Sequence, residues 1–209
     1  MIRLPVDGGD TCFTCPAPCC TSYLVPIHGY DLWRLVNGLQ LPWREVATLL
    51  PEQPGREGFA LDGSEARLGL FLRHREGEVC RFLLTLPGGQ QRCGAHGARP
   101  MACRVYPWKP SDNNQLGLEI AGHAMCPEAQ RAHFAGQMRQ ARAGIYDELA
   151  ERPLYQLAVA RWNQHVQTRF AGPDEFVGWI LQLYDAMLPL RRQPDWQLQG
   201  PRFVIEFPL

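Results

Sequence analysis

Residues 12–20 read Cys12-Phe13-Thr14-Cys15-Pro16-Ala17-Pro18-Cys19-Cys20, a CxxCxxxCC run. CxxC is the spacing at which a short loop turns two thiolates toward one cation. The prolines punctuate the run, so Thr11 to Tyr23 is read as a loop. Four more cysteines follow, Cys80, Cys93, Cys103 and Cys126, each beside a turn signal or at the end of a predicted strand. The eight together form the candidate ligand pool. Burial as small hydrophobes accounts for one or two cysteines and leaves the ordered set unexplained.

Compartment decides how these thiols are read. Residues 1–10 lack a basic stretch followed by an apolar run, so no secretory signal is expected and the chain is placed in the cytoplasm. Thiols stay reduced there, which favours metal ligation over disulfides. At 209 residues the chain would bury roughly 70% of its unfolded surface without needing staples. With 45% hydrophobic and 20% charged residues it falls in the globular range. No apolar run reaches membrane-spanning length, and a formal net charge of zero gives no electrostatic case for nucleic acid or an anionic membrane.

Outward from the cysteines, a helix is predicted after Gly29, with Asp31 as its cap and Leu32, Leu35, Val36 and Leu39 on one face. A second starts at Pro42 and carries Trp43, Val46, Leu49 and Leu50 as far as Pro51. Glu52 to Ser64 reads as an exposed connection. Ala66 to Arg73 and Glu78 to Leu86 read as a hairpin turning at Arg75-Glu76-Gly77 and closed by Pro87-Gly88-Gly89. Another strand is expected over Gln115 to Ala121, after Asp112-Asn113-Asn114. From Pro127 to Arg192 three helical patterns follow, broken at Pro153 and near Gly172-Pro173. Their apolar stripes are Met138, Ala141, Ile145 and Leu149; Leu154, Leu157, Ala158 and Trp162; and Phe176, Ile180, Leu183 and Met187. Phe203 to Phe207 is read as a terminal strand. The fold class is therefore α+β: a cysteine-rich metal-binding region with a β-hairpin or small sheet (residues 1–127), packed against helices that include a C-terminal segment (128–209), together one domain.

Adjacent side chains of an extended segment point to opposite sides, so Cys19 and Cys20 are awkward partners for one mononuclear ion. They serve two sites, or different irons of one cluster, or one is a reactive free thiol. Structural zinc takes four ligands, so eight thiols fill two zinc sites. A 4Fe–4S cluster also takes four and leaves four over. Ligand type leans toward the iron–sulfur cluster. Arg81, Arg92 and Arg104 each adjoin a cysteine, where a cation would offset the charge of thiolates around a metal. His96 stands in a CxxH spacing after Cys93, and His28 and His123 are weaker candidates.

The ordered set CxxCxxxCC, Cys80-Arg81-Phe82-Leu83, Cys93, Arg99-Pro100, Cys103-Arg104-Val105-Tyr106-Pro107 and Cys126-Pro127 resembles the YkgJ-like cysteine-cluster family, described as a zinc- or iron-chelating domain. The likeness covers Cys12 to Pro127. Two departures stand out: Pro16 follows Cys15 where the family often has glycine, and His96 stands where it has an aromatic residue. Some relatives are similar to flagellin lysine methylases, which implies a second reading as an enzyme using S-adenosylmethionine beside an iron–sulfur cluster. Arg99, Tyr106 and Trp108 would then line the cofactor pocket. Otherwise Arg99 is an outer partner of the metal ligands and the two aromatics belong to the core, the reading preferred for all three. No GxGxxG loop supports an ordinary methyltransferase site. A third reading makes zinc a staple and the helical tail a surface for an unidentified protein partner.

Overall fold

The computed structural model describes residues 17–52, 58–75, 79–106, 108–110, 116–118 and 134–209. Pro18 takes helical dihedrals, φ −61° and ψ −29°, and opens a single turn, α1 (Cys19–Ser22), where a loop was expected. The next helix, α2 (Gly29–Leu39), begins earlier than a cap at Asp31 would allow. Its cap is His28. Asp31 lies three residues into the helix, and its Oδ2 accepts the His28 backbone N–H at 3.4 Å, as the third residue of a capping box does. Leu32 and Leu35 are fully buried, as their spacing predicts.

The second predicted helix stops after one turn, α3 (Trp43–Val46), and Ala47–Pro51 becomes strand β1. It pairs antiparallel with β2 (Leu68–Leu72) from Ala47 opposite Leu72 to Pro51 opposite Leu68. Leu49 and Leu50 thus lie on a strand, because pairing with a distant apolar segment outweighs weak local helix propensity. β2 thereby loses its expected hairpin partner. Among the described residues that pairing is reduced to a bridge between His74 and Cys80. The closing Pro87-Gly88-Gly89 instead forms the loop of a hairpin between β3 (Leu83–Thr85) and β4 (Gln91–Cys93). Gly88 and Gly89 sit at φ +91° and +81°, which a residue with a Cβ adopts only under strain. A third two-stranded sheet joins β5 (Trp108–Pro110) to β6 (Leu116–Leu118), the latter inside the strand predicted over Gln115 to Ala121. Between β4 and β5 in sequence lies α4 (Met101–Val105).

Three helices complete the described chain: α5 (Phe134–His165), α6 (Pro173–Arg191) and α7 (Trp196–Glu206). Helix α5 runs through Pro153, which was expected to break it. An interior proline costs about 3 kcal/mol. Burial of Leu154, Tyr155, Ala158, Val159 and Trp162 just beyond it offsets that cost. On α6 the stripe Phe176, Ile180, Leu183 and Met187 is completely buried, as its periodicity predicts. Leu149, assigned to the α5 stripe, is instead 43% exposed. The terminal strand is also corrected: Phe203 belongs to α7, and its ring stacks on Phe207 four residues later. None of the helices among the described residues is long and apolar enough to cross a membrane.

One contiguous core draws on α2, β1, β2, α5, α6 and α7. The stretch read as an exposed connection enters it, since Phe59 is completely buried and stacks on Phe176. Asn163 and Trp162 clamp its backbone: Ala60 N–H donates to Asn163 Oδ1 at 2.7 Å, and Trp162 Nε1–H donates to the Ala60 carbonyl at 2.8 Å. Gly29 is the point of closest approach between α2 and α6, where a Cβ would collide with the Tyr184 ring and lie 3.2 Å from Ile180 Cγ2. Gly29→Ala is expected to destabilise the protein by about 1–3 kcal/mol through overpacking, read from the urea midpoint.

Candidate metal centre

Five of the eight cysteines fall among the described residues, and all five line one cavity of about 710 Å³. They come from four local settings. Cys19 and Cys20 lie on α1, where successive side chains are about 100° apart, so both reach the cavity. The opposite-face argument held only for an extended chain, and the helical turn removes it. Cys80 is fastened beside them by its backbone N–H, which donates to the Cys20 carbonyl at 2.7 Å. Cys93 ends β4 opposite Leu83, and Cys103 projects from α4. No disulfide joins any of the five to another. Cys12, Cys15, Cys126 and His123 lie outside the described residues, as does the expected boundary near residue 127.

Neither a family model, nor a curated protein, nor a solved structure matches the chain. The site is therefore read from its own chemistry.

The Cys20 thiol sits between the Cys19 and Cys80 sulfurs in hydrogen-bonding contact with both. That contact lowers the pKa of Cys19, to about 7, against the cost of burial. It likewise holds Cys80 at about 7, with further help from two backbone N–H groups and the nearby Arg75. Cys20 itself is pushed up, because as the shared donor it faces two sulfurs that take the negative charge first. Cys103 is also pushed above the ordinary range, by burial first and then by the charges of Cys19, Cys93 and Cys80. The five sulfurs thus share one electrostatic neighbourhood. Loading all of them with charge demands a cation. Among the described residues, no three His, Cys, Asp or Glu side chains stand in the arrangement of a preformed ion site.

The arginines do other work than their sequence positions suggest. Arg81 pairs with Glu45, and Arg104 approaches Asp147 at 3.7 Å. Arg75, which sequence reasoning passed over, lies near Cys80 and donates to the Leu83 carbonyl. His96, Arg92, Arg99 and Tyr106 line the cavity, and Tyr106 packs against Tyr23 with ring centroids 5.6 Å apart. His28 is drawn away toward Tyr155, and burial holds its pKa down to about 4. For Trp108 only the backbone is described, as part of β5. Two residues on α2 that the sequence did not mark for the site support it from outside the cavity: Asp31 and Arg34 grip the segment between Cys93 and Cys103. The signal the sequence offered for Asp31 was an acid beside the apolar positions Leu32 and Leu35, read there as a helix cap.

Proposed function

We propose that the chain is a cysteine-cluster metalloprotein whose eight thiols, Cys12, Cys15, Cys19, Cys20, Cys80, Cys93, Cys103 and Cys126, bind an iron–sulfur cluster or zinc. The observation that carries this reading is the meeting of five cysteines, spread over 85 positions of sequence from Cys19 to Cys103, around one cavity. Their chemistry fits the group. Sulfurs around a tetrahedral zinc stand about 3.8 Å apart, close to the separation of hydrogen-bonded thiols. A cation would replace the proton that Cys20 now shares with Cys19 and Cys80, the hydrogen bonds that raise its pKa. Covalent connectivity favours the wider ligand set too. Cys15 is four residues from Cys19, so even a fully extended chain keeps their Cα atoms within about 14 Å. The YkgJ-like resemblance points the same way.

Anaerobic purification followed by iron, sulfide and zinc analysis tests the proposal. A brown protein containing iron and sulfide is expected, with colourless protein carrying stoichiometric zinc as the other supporting result. Protein free of both after reconstitution would refute it. Affinity should also depend on pH. Protons compete with the metal for each thiolate, so affinity is expected to fall on acidification by about tenfold per unit for each ligand then protonated. For Cys19 and Cys80 that competition begins only below about 7, two units lower than for an ordinary thiol at 9. Competition with a chromophoric chelator from pH 6 to about 9 reads the slope.

One observation favours the enzyme reading as a second: Arg99 and Tyr106 line the same cavity as the sulfurs. Its volume is in the range of small-molecule sites. Incubating cluster-loaded protein with S-adenosylmethionine and lysine peptides would show methylated lysine under that reading and leave both unchanged under the binding reading.

A further inference from the structure

The segment that links Cys93 to Cys103 carries little regular structure of its own. It contains one 3-10 turn, His96–Ala98, before α4 starts at Met101. Something else must set the direction of α4 and with it the Cys103 sulfur. Helix α2, which bears no cysteine, packs against this turn and touches the segment at three backbone groups. Asp31 Oδ1 accepts the Met101 N–H at 2.9 Å in a buried bond. Arg34 Nη1 donates to the Arg99 carbonyl at 3.3 Å, and Nη2 donates to the Gly97 carbonyl at 3.2 Å. The two side chains lie one helical turn apart, so they present an acceptor and a forked donor to the same stretch of chain. Asp31 is only 1% exposed, and its second oxygen is held by the His28 N–H, which leaves the carboxylate little freedom to turn. Buried acids are rare without such a task.

We propose that Asp31, supported by Arg34, is the positioning residue of the cysteine site, fixing the start of α4 so that Cys103 faces the other sulfurs. This rests on the metal-binding reading for its purpose, although its geometry stands without metal. Asp31 acts through Met101: its hydrogen bonds among the described residues go to backbone N–H groups and to no sulfur. Its loss should therefore release one cysteine selectively.

The test is peptide-resolved alkylation of the full-length, metal-free, folded protein with iodoacetamide, followed by mass spectrometry. In Asp31→Ala, Cys103 is expected to react about tenfold faster than in the wild type, while Cys19 and Cys80 stay within about twofold. Asp31→Asn keeps an oxygen for the Met101 N–H, so Cys103 should remain near its wild-type rate. Arg34→Ala leaves that bond intact but frees the Gly97 and Arg99 carbonyls, and an intermediate rate is expected; it also serves if Asp31→Ala does not fold. Parallel acceleration of all three cysteines would mean general loosening and would overturn the proposal. An unchanged Cys103 in both alanine variants, or an Asn variant as fast as the Ala variant, would overturn it as well. Metal analysis of the wild type fails or succeeds independently, so a failure of the metal reading is distinguishable from a failure of this one.

Discussion

Under the proposed function, stripping the metal with a chelator is expected to destabilise the cysteine region by about 10 kcal/mol, because a structural thiolate site contributes about 10–16 kcal/mol. The loss should centre on α1 and the β3–β4 hairpin, which carry Cys19, Cys20 and Cys93 and have short, poorly self-supporting hydrogen-bonded runs, whereas α4 keeps its tie to Asp31 on α2. Helices α5 and α6 draw on a wide apolar core and should persist. Hydrogen exchange with and without chelator reads this difference element by element. Cys19→Ser gives the matching genetic result. Its metal content should drop to a small fraction of the wild-type value. In the chelated state its denaturation midpoint should equal that of the wild type, because Cys19 is half-buried and outside the apolar core. Equal midpoints for the loaded and chelated wild type would contradict the expectation.

The second large effect lies away from the thiols, at Glu151 on α5. Its carboxylate is fully buried, accepts the Tyr184 hydroxyl, and pairs with Arg191 at 2.6 Å. The Arg191 guanidinium is itself packed over the Tyr30 ring at 3.5 Å and beside the Trp196 ring at 4.4 Å. One carboxylate therefore ties α5 to α6, and its cation ties both to α2 and α7. Glu151→Ala is expected to cost about 3–5 kcal/mol, since it leaves the buried Tyr184 hydroxyl and Arg191 guanidinium without their acceptor and opens a cavity. Glu151→Gln tests the charge separately. Burial raises the Glu151 pKa to about 7, against the opposing pull of Arg191. A carboxyl raised on folding binds its proton more tightly in the native state. Its contribution is fully present below the unfolded value near 4.5 and is lost as pH rises to about 7. The glutamine variant, which cannot ionise, should match the wild type at pH 4.5 to within about 1 kcal/mol. It should then gain on the wild type up to neutrality and run parallel beyond, in urea denaturation of metal-free protein. Asp31, raised by burial to about 6, adds a slope of the same sign that both proteins share.

Where local pattern and burial agreed, the sequence was a reliable guide. The α6 stripe and the leucines of α2 followed from spacing alone, because a helical face that is apolar over several turns has one stable use. Errors gathered where a decision depended on partners far away in the chain. Leu49 and Leu50 fit a helix as well as a strand until Leu68–Leu72 is available to pair. Pro153 reads as a stop until the buried face beyond it is seen to hold the helix together. Phe203 and Phe207 fit either period over so short a run, and the final helix of the chain absorbs the first of them. Phe59 was hidden by the glycine, proline and charge around it.

The sequence alone determined the donor set: eight thiols in order, with no charge excess and no competing nucleotide motif, which under the proposed function would suit a soft cation. Which thiols meet, and in what electrostatic state, was decided only in three dimensions. A helical turn at Cys19–Ser22 brings adjacent cysteines to one cavity, and Asp31 and Arg34 grip the loop that leads to Cys103. Spacing along a chain specifies what a loop can hold, whereas convergence of separate loops depends on contacts between elements that no local pattern records.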